Sequence, residues 1–254
     1  MKRALALTFG VLSYLCFFCS LLYTIAFVGG VFVPKGIDDG TPESLPVAIA
    51  INLGLIVLFG LQHTGMARPA FKRVFTELVP VHLERSVYVL LSTIAWVLLL
   101  WQWRPVGDVV WDFRGTFLGG TMWALFGAGW LILLTASFAI CHFDLFGLRQ
   151  VWTHFRGRTY RSPEFKLRGH YRLVRHPLMV GWLLGFWATP TMTVGHLLFA
   201  LFNSAYILVG VLCEERTLIA EHGEDYRAYK RNVPALVPFL KRRNADRTSA
   251  PQGA

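Results

Sequence analysis

The feature that most limits what this chain can fold into is its series of long apolar runs. Residues 4–33, 46–66, 86–103 and 116–140 each approach or exceed the length that crosses a bilayer as a helix, about 20 residues. Two shorter runs follow, at 178–190 and 193–213. Charged residues make up only 16% of the chain, where a soluble domain carries about a quarter. The expected fold class is therefore all-α, a polytopic membrane helix bundle of four spans plus a C-terminal helical hairpin. The first run follows Lys2-Arg3, as a signal peptide would. It is too long for a signal h-region, and no A-x-A-like site precedes the polar stretch after it, so it reads as a mature span.

The net charge of +10 suggests nucleic acid until its distribution is followed. With the N-terminus placed in the cytoplasm, 22 of the 25 Lys and Arg fall on the cytoplasmic side. The other face has only Lys35, Arg104 and Arg114, together with Asp38, Asp39, Glu43, Asp108 and Asp112. This is the positive-inside bias, and it predicts a cytoplasmic N-terminus and C-terminus. The charge reports topology, and no nucleic-acid partner is expected. The four cysteines include a Cys16-Phe-Phe-Cys19 pair inside an apolar span with no second pair to complete a site, so neither a metal centre nor a disulfide framework is expected.

Pro34 to Pro46 reads as a polar outer turn, Ala67 to Arg85 as a basic connector, and Trp101-Gln-Trp103-Arg104-Pro105 as the interfacial end of the third span. Gly119, Gly120, Gly127 and Gly129 allow close helix approach in the fourth. Cys141 to Arg175 reads as a long cytoplasmic loop. Leu178 to Thr189 would rise only about 18 Å as a helix, too short to cross alone. A tilted or re-entrant hairpin is expected over 178–213, broken at Pro190 and turning over Thr191 to Gly195. From Glu214 to Tyr229 the pattern becomes amphipathic. Residues 1–240 read as one integral membrane domain and 241–254 as a polar, disordered tail. Oligomeric state is not legible.

Ionisable residues at the edges of apolar helices are expensive unless they hold something. Arg168, His170, Tyr171, Arg172, Arg175, His176 and Pro177 crowd the entrance to the hairpin. If the hairpin folds back, Glu214 and Glu215 return to the same edge, followed by Tyr226, Tyr229 and Pro234. Cationic donors, acidic acceptors and aromatic faces in one place suit a zwitterionic ligand bearing an aromatic base. Neither a G-x-G-x-x-G turn after a strand nor a P-loop lysine motif is present.

Arg175-His176-Pro177-x-x-x-Gly181, Glu214-Glu215-x-x-Leu218 and Gly223-x-x-Tyr226-x-x-Tyr229-x-x-x-Val233-Pro234 resemble the isoprenylcysteine carboxyl methyltransferase and phospholipid methyltransferase group. The resemblance covers about the last 80 residues. It implies S-adenosyl-L-methionine, as methyl-donor co-substrate, in a cytoplasmic cofactor-binding region under the hairpin. By position, Tyr171, His176, Pro177, Leu178 and Met179 would line it, with Glu214, Glu215 and Tyr226 beside them. Met179 departs from the tyrosine common in that group. Gln62-His63-x-x-Met66-Ala67-Arg68, Glu84-Arg85-Ser86-x-Tyr88, Trp101-Gln-Trp103-Arg104-Pro105, His142-Phe-Asp144-Leu-Phe-Gly147 and Ala188-Thr-Pro190-Thr-Met-Thr-x-Gly195-His196 together resemble the bacterial methanethiol S-methyltransferases nearly end to end. That resemblance implies methylation of a small thiol, methanethiol, to dimethyl sulfide in a bacterial inner membrane.

Thiolate attack on a sulfonium cancels two charges, and a low-dielectric site favours that crossing when the reactants are aligned. The apolar thiol also partitions into membrane lipid. Alkyl thiols are mostly protonated near neutral pH, so a group must take the proton or stabilise the thiolate. His63, His142, His170 and His196 are candidates, with Asp144 or Glu84 as orienters and Arg68, Arg85 or Arg175 as a cationic clamp. Placement near the cytoplasmic ends of spans favours His142 and His63. Methylation of a lipid amine or a prenylcysteine carboxylate, and a non-catalytic accessory role on the same scaffold, are the competing readings.

Overall fold

A computed structural model describes residues 1–41, 43–162, 168–238 and 240. The proposed tail, 241–254, lies outside the described residues. Among the described residues, five helices are long and apolar enough to cross a membrane: α1 (Lys2–Gly29), α2 (Leu45–Met66), α4 (Val81–Gln102), α5 (Phe117–Ala139) and α9 (Val194–Asn232). Between them lie α3 (Pro69–Leu78), α6 (His142–Leu145), α7 (Leu148–Phe155) and α8 (Pro177–Trp187). The expected all-α bundle is what is found. The 67–85 connector is more ordered than expected, because Pro69 at the first turn of α3 spends no hydrogen bond there. The 141–175 loop likewise contains α6, α7 and a 3-10 turn, Gly169–Arg172.

The hairpin runs to the far end of the bundle. Its tip, β2 (Thr191–Thr193), pairs antiparallel with β1 (Val109–Asp112), which lies between α4 and α5. Thr193 also hydrogen-bonds Asp38 from the loop between α1 and α2. Its hydroxyl accepts the His196 amide at 3.0 Å, capping α9 where a turn was expected. Eleven residues of α8 rise only about 16 Å. The hairpin nevertheless reaches β1 because α8 starts partway along α5. His170 meets Thr135 near the end of α5, at 2.9 Å, and Gly181 packs on Gly129 and Leu133 in its middle. Pro177 therefore begins α8 about one turn inside the end of α5.

That pairing needs two bare backbones. A Cβ on Gly181 would lie 2.7 Å from the Gly129 carbonyl oxygen, and one on Gly129 would lie 2.8 Å from Leu184. Small residues permit this approach where burial from water supplies no driving force between helices. Gly120 and Gly127 face no atom within 4 Å, so they take no part in it. At the other end of the hairpin, α9 continues well past Cys213 and bends at Gly223, whose φ of 55° and ψ of −125° leave the helical region. The bend carries Tyr226 and Tyr229 back toward the start of α8.

Candidate active site

A cavity of about 1100 Å³ enters the bundle from the end that carries the N-terminus and most of the basic residues. It exceeds the roughly 300–1,000 Å³ of ordinary small-ligand pockets. One face of α9 lines it throughout, with Asn203, Tyr206, Gly210, Glu214, Leu218 and His222 spaced close to one helical turn apart. By helix rise this stripe is about 28 Å long. Its outer half is charged and aromatic, and its inner half is apolar apart from a few hydrogen-bonding side chains.

At the mouth, His176 stands between two carboxylates. Its Nδ1 lies 3.4 Å from Glu214 Oε2 and its Nε2 lies 3.2 Å from Glu215 Oε1. The two glutamates have different surroundings. Glu215 is 4% exposed. Its Oε1 also accepts from Arg175 Nε and NH2, at 2.8 and 2.7 Å, and its Oε2 faces Lys230 Nζ at 2.6 Å. The Arg175 guanidinium further donates to the carbonyls of Lys230 and Val233. The Arg175 and His176 amides donate to Pro234 and Ala235 at 2.8 and 3.1 Å. This knot ties the start of α8 to the end of α9. The Glu214 side chain is 49% exposed and lines the cavity. Tyr171 lines it opposite, its own carbonyl accepting from Tyr229 Oη at 2.6 Å. Burial, the Glu214 charge and Tyr229 all push the Tyr171 phenol well above its ordinary range, so it stays a neutral hydrogen-bonding ring.

Deeper in, His63 Nδ1 lies 2.8 Å from Tyr206 Oη, and the same hydroxyl lies 3.2 Å from Thr64 Oγ1. Phe59 stacks on the His63 ring at 5.2 Å. Trp96 Nε1 donates to Thr24 at 2.8 Å, which fixes its indole against Phe59 and Trp182.

The chain is 50% identical to methanethiol S-methyltransferase 2 of Bradyrhizobium diazoefficiens over 258 residues, covering 99% of this chain and 98% of that one. It is 45% identical over 244 residues to a methanethiol S-methyltransferase of Crocosphaera subtropica, with 96% of each covered. It is 47% identical over 242 residues to one of Mycobacterium tuberculosis, covering 95% and 99%. This chain belongs to the methanethiol S-methyltransferase family. No family model and no solved structure matches it.

In this methanethiol S-methyltransferase relative, the cavity brings together Tyr171, Arg175, His176, Leu178, Met179, Glu214 and Tyr226 at the mouth and His63 further in. Pro177 and Glu215 stand just behind the wall, as the first residue of α8 and the centre of the knot. His142 is not brought to the others. It is 3% exposed, with Nε2 2.9 Å from Tyr14 Oη and Nδ1 2.8 Å from Ser137 Oγ, and it stacks on Phe138 at 4.4 Å. Asp144 lines the cavity but does not orient a histidine. It accepts from Tyr160 at 2.8 Å and lies 3.7 Å from Arg149. His170 turns to Thr135, and His196 to the Phe186 carbonyl at 3.0 Å. Sequence reading missed Tyr206, Thr64, Trp96 and Asn203. For Tyr206 a signal existed, because Tyr206, Gly210, Glu214, Leu218 and His222 recur every four residues along one helix.

Proposed function

We propose that this protein transfers a methyl group from S-adenosylmethionine to methanethiol and releases dimethyl sulfide, at the cytoplasmic side of a bacterial inner membrane. The observation that carries this reading is one cavity that joins a charged mouth to the apolar interior of the bundle. The names of relatives 45–50% identical over nearly the whole chain support the acceptor. The gathering of basic residues at the end with the mouth supports a cytoplasmic placement of that end and of both termini.

The residues at the mouth fit the donor. When bound, the donor supplies an electrophilic methyl carbon on a cationic sulfur. The half-exposed Glu214 carboxylate accepts from its amino or hydroxyl groups. Tyr171 offers a ring face, with the buried Tyr226 close behind the wall, and Leu178 and the Met179 thioether pack beside it. Arg161 and Arg168 also line the cavity and complement a carboxylate. Arg175, Glu215 and Pro177 act by holding His176 and the mouth in place, Asp144 by holding Tyr160, and His142 by bracing α1 against the end of α5. The inner, aromatic half receives the small thiol, which reaches it through lipid or water. Exclusion of water there favours the meeting of thiolate and sulfonium.

Purified protein in detergent, supplied with S-adenosylmethionine and methanethiol, should release dimethyl sulfide into the headspace, read by gas chromatography. Product from a prenylcysteine or a lipid amine, and none from methanethiol, would replace this reading with the lipid-acceptor one.

A further inference from the structure

The inner end of the cavity contains a hydrogen-bonded chain that the donor at the mouth does not use. It runs from His63 through Tyr206 to Thr64. Tyr206 reaches across from α9 to α2, its ring packed on Gly60, where an added Cβ would lie 3.2 Å from it. The ring of His63 is stacked on Phe59 and meets Tyr88 at a tilt, with centroids 5.2 and 5.4 Å away. One ring nitrogen is engaged by Tyr206. Among the described residues, the other, Nε2, has no protein partner, and His63 lines the cavity. A fixed imidazole with one bonded nitrogen and one open nitrogen is the arrangement of an oriented base. His142, bonded through both nitrogens, has none to offer.

We propose that His63 is the base that deprotonates the acceptor thiol, and that Tyr206, backed by Thr64, is the positioning residue that sets its tautomer. This rests on the methanethiol reading above. In that tautomer Nδ1–H donates to Tyr206 Oη, Tyr206 donates to Thr64 Oγ1, and Nε2 carries the lone pair. The thiol S–H bond breaks, its proton goes to Nε2 and its electron pair stays on sulfur. That sulfur bonds to the methyl carbon as the carbon's bond to the donor sulfur breaks, and the pair returned there leaves a neutral thioether. The proton passes from His63 to water when the products leave. Tyr206 lies two turns inward of Glu214 on α9, about 12 Å by helix rise. The base and the donor's anchor are thus separated by a span that the donor and thiol can fill together.

The test is single-turnover methylation of methanethiol across pH, with donor affinity measured by calorimetry. The groups facing His63 are Tyr88 and Tyr206, with Arg85 and Glu214 close enough to act through their charge. His63→Gln should bind donor normally and lose about 100-fold or more in rate at pH 7. The deficit should shrink toward pH 10, where the thiol ionises without help. Tyr206→Phe should lose about tenfold with the same recovery, because the ring is no longer fixed. A His63→Gln rate within threefold of wild type, or a deficit of equal size at every pH, overturns the assignment. If His63→Gln binds no donor, Tyr206→Phe decides on the same criterion. A wild type that makes no dimethyl sulfide overturns the underlying reading, and this one with it.

Discussion

Arg175 and Glu215 form a buried ion pair, 2.7 Å from NH2 to Oε1, with side chains 8% and 5% exposed. Its neighbour in sequence, Glu214, points into the cavity instead. Breaking a buried pair strands a charge and costs about 3–5 kcal/mol. Glu215→Gln should therefore lower the thermal unfolding midpoint in detergent. Glu214→Gln should leave that midpoint nearly unchanged and weaken S-adenosylmethionine binding about tenfold or more, since a hydrogen bond to a charged group contributes about 1.5–3 kcal/mol. Equal effects of the two substitutions on both readouts would contradict this division of roles.

His142 gives the protein a pH dependence that is structural. Burial pushes its imidazole below the ordinary histidine value. In the unfolded chain it titrates near about 6.5. Between the depressed folded value and about 6.5 the unfolded chain binds more protons, so stability rises with pH across that window and falls as acid is added. The unfolding midpoint of wild type should drop below about pH 6.5, and His142→Gln should flatten that slope. An unaltered slope would show that other groups cause it.

The sequence carried the bundle because apolar length is read directly against bilayer thickness, and it carried the mouth because Arg175-His176-Pro177 and Glu214-Glu215 are local motifs. The distinction between Glu214 and Glu215 was not legible. It depends on a 100° step around α9 and on Lys230 returning after the bend at Gly223. His142 and His63 looked alike because both sit at helix ends, and only their partners, Tyr14 and Ser137 against Tyr206, separate them. The strand pair at the far end was missed because three or four residues leave almost no periodicity to read.

The contact between α5 and α8 should be intolerant of a single methyl group. At Gly181 an added Cβ meets backbone on one side and Leu133 on the other, at 2.7–2.8 Å. Neither neighbour can rotate away, so Gly181→Ala should cost about 1–3 kcal/mol by overpacking. Gly120→Ala on the same α5 faces open space and should be harmless. Thermal unfolding of both variants checks this, and an equally stable Gly181→Ala would show that the two helices can separate without loss.

The segment after α9 is clasped to the start of α8 through its backbone carbonyls. Arg175 N and His176 N donate to Pro234 O and Ala235 O, and the Arg175 guanidinium donates to the Val233 carbonyl. No side chain after Asn232 is needed for these bonds, so substitutions there should be mild while deletion should not. A chain ending at Leu240 should bind S-adenosylmethionine within about twofold of the full chain. A chain ending at Asn232 removes the acceptors of two backbone donors at the start of α8, the Arg175 and His176 amides, each costing about 1–3 kcal/mol when left unsatisfied. It should lose more than about tenfold in donor affinity. Calorimetry on the two truncated proteins distinguishes a structural clasp from a passive appendage, and normal binding by the shorter one would identify the appendage.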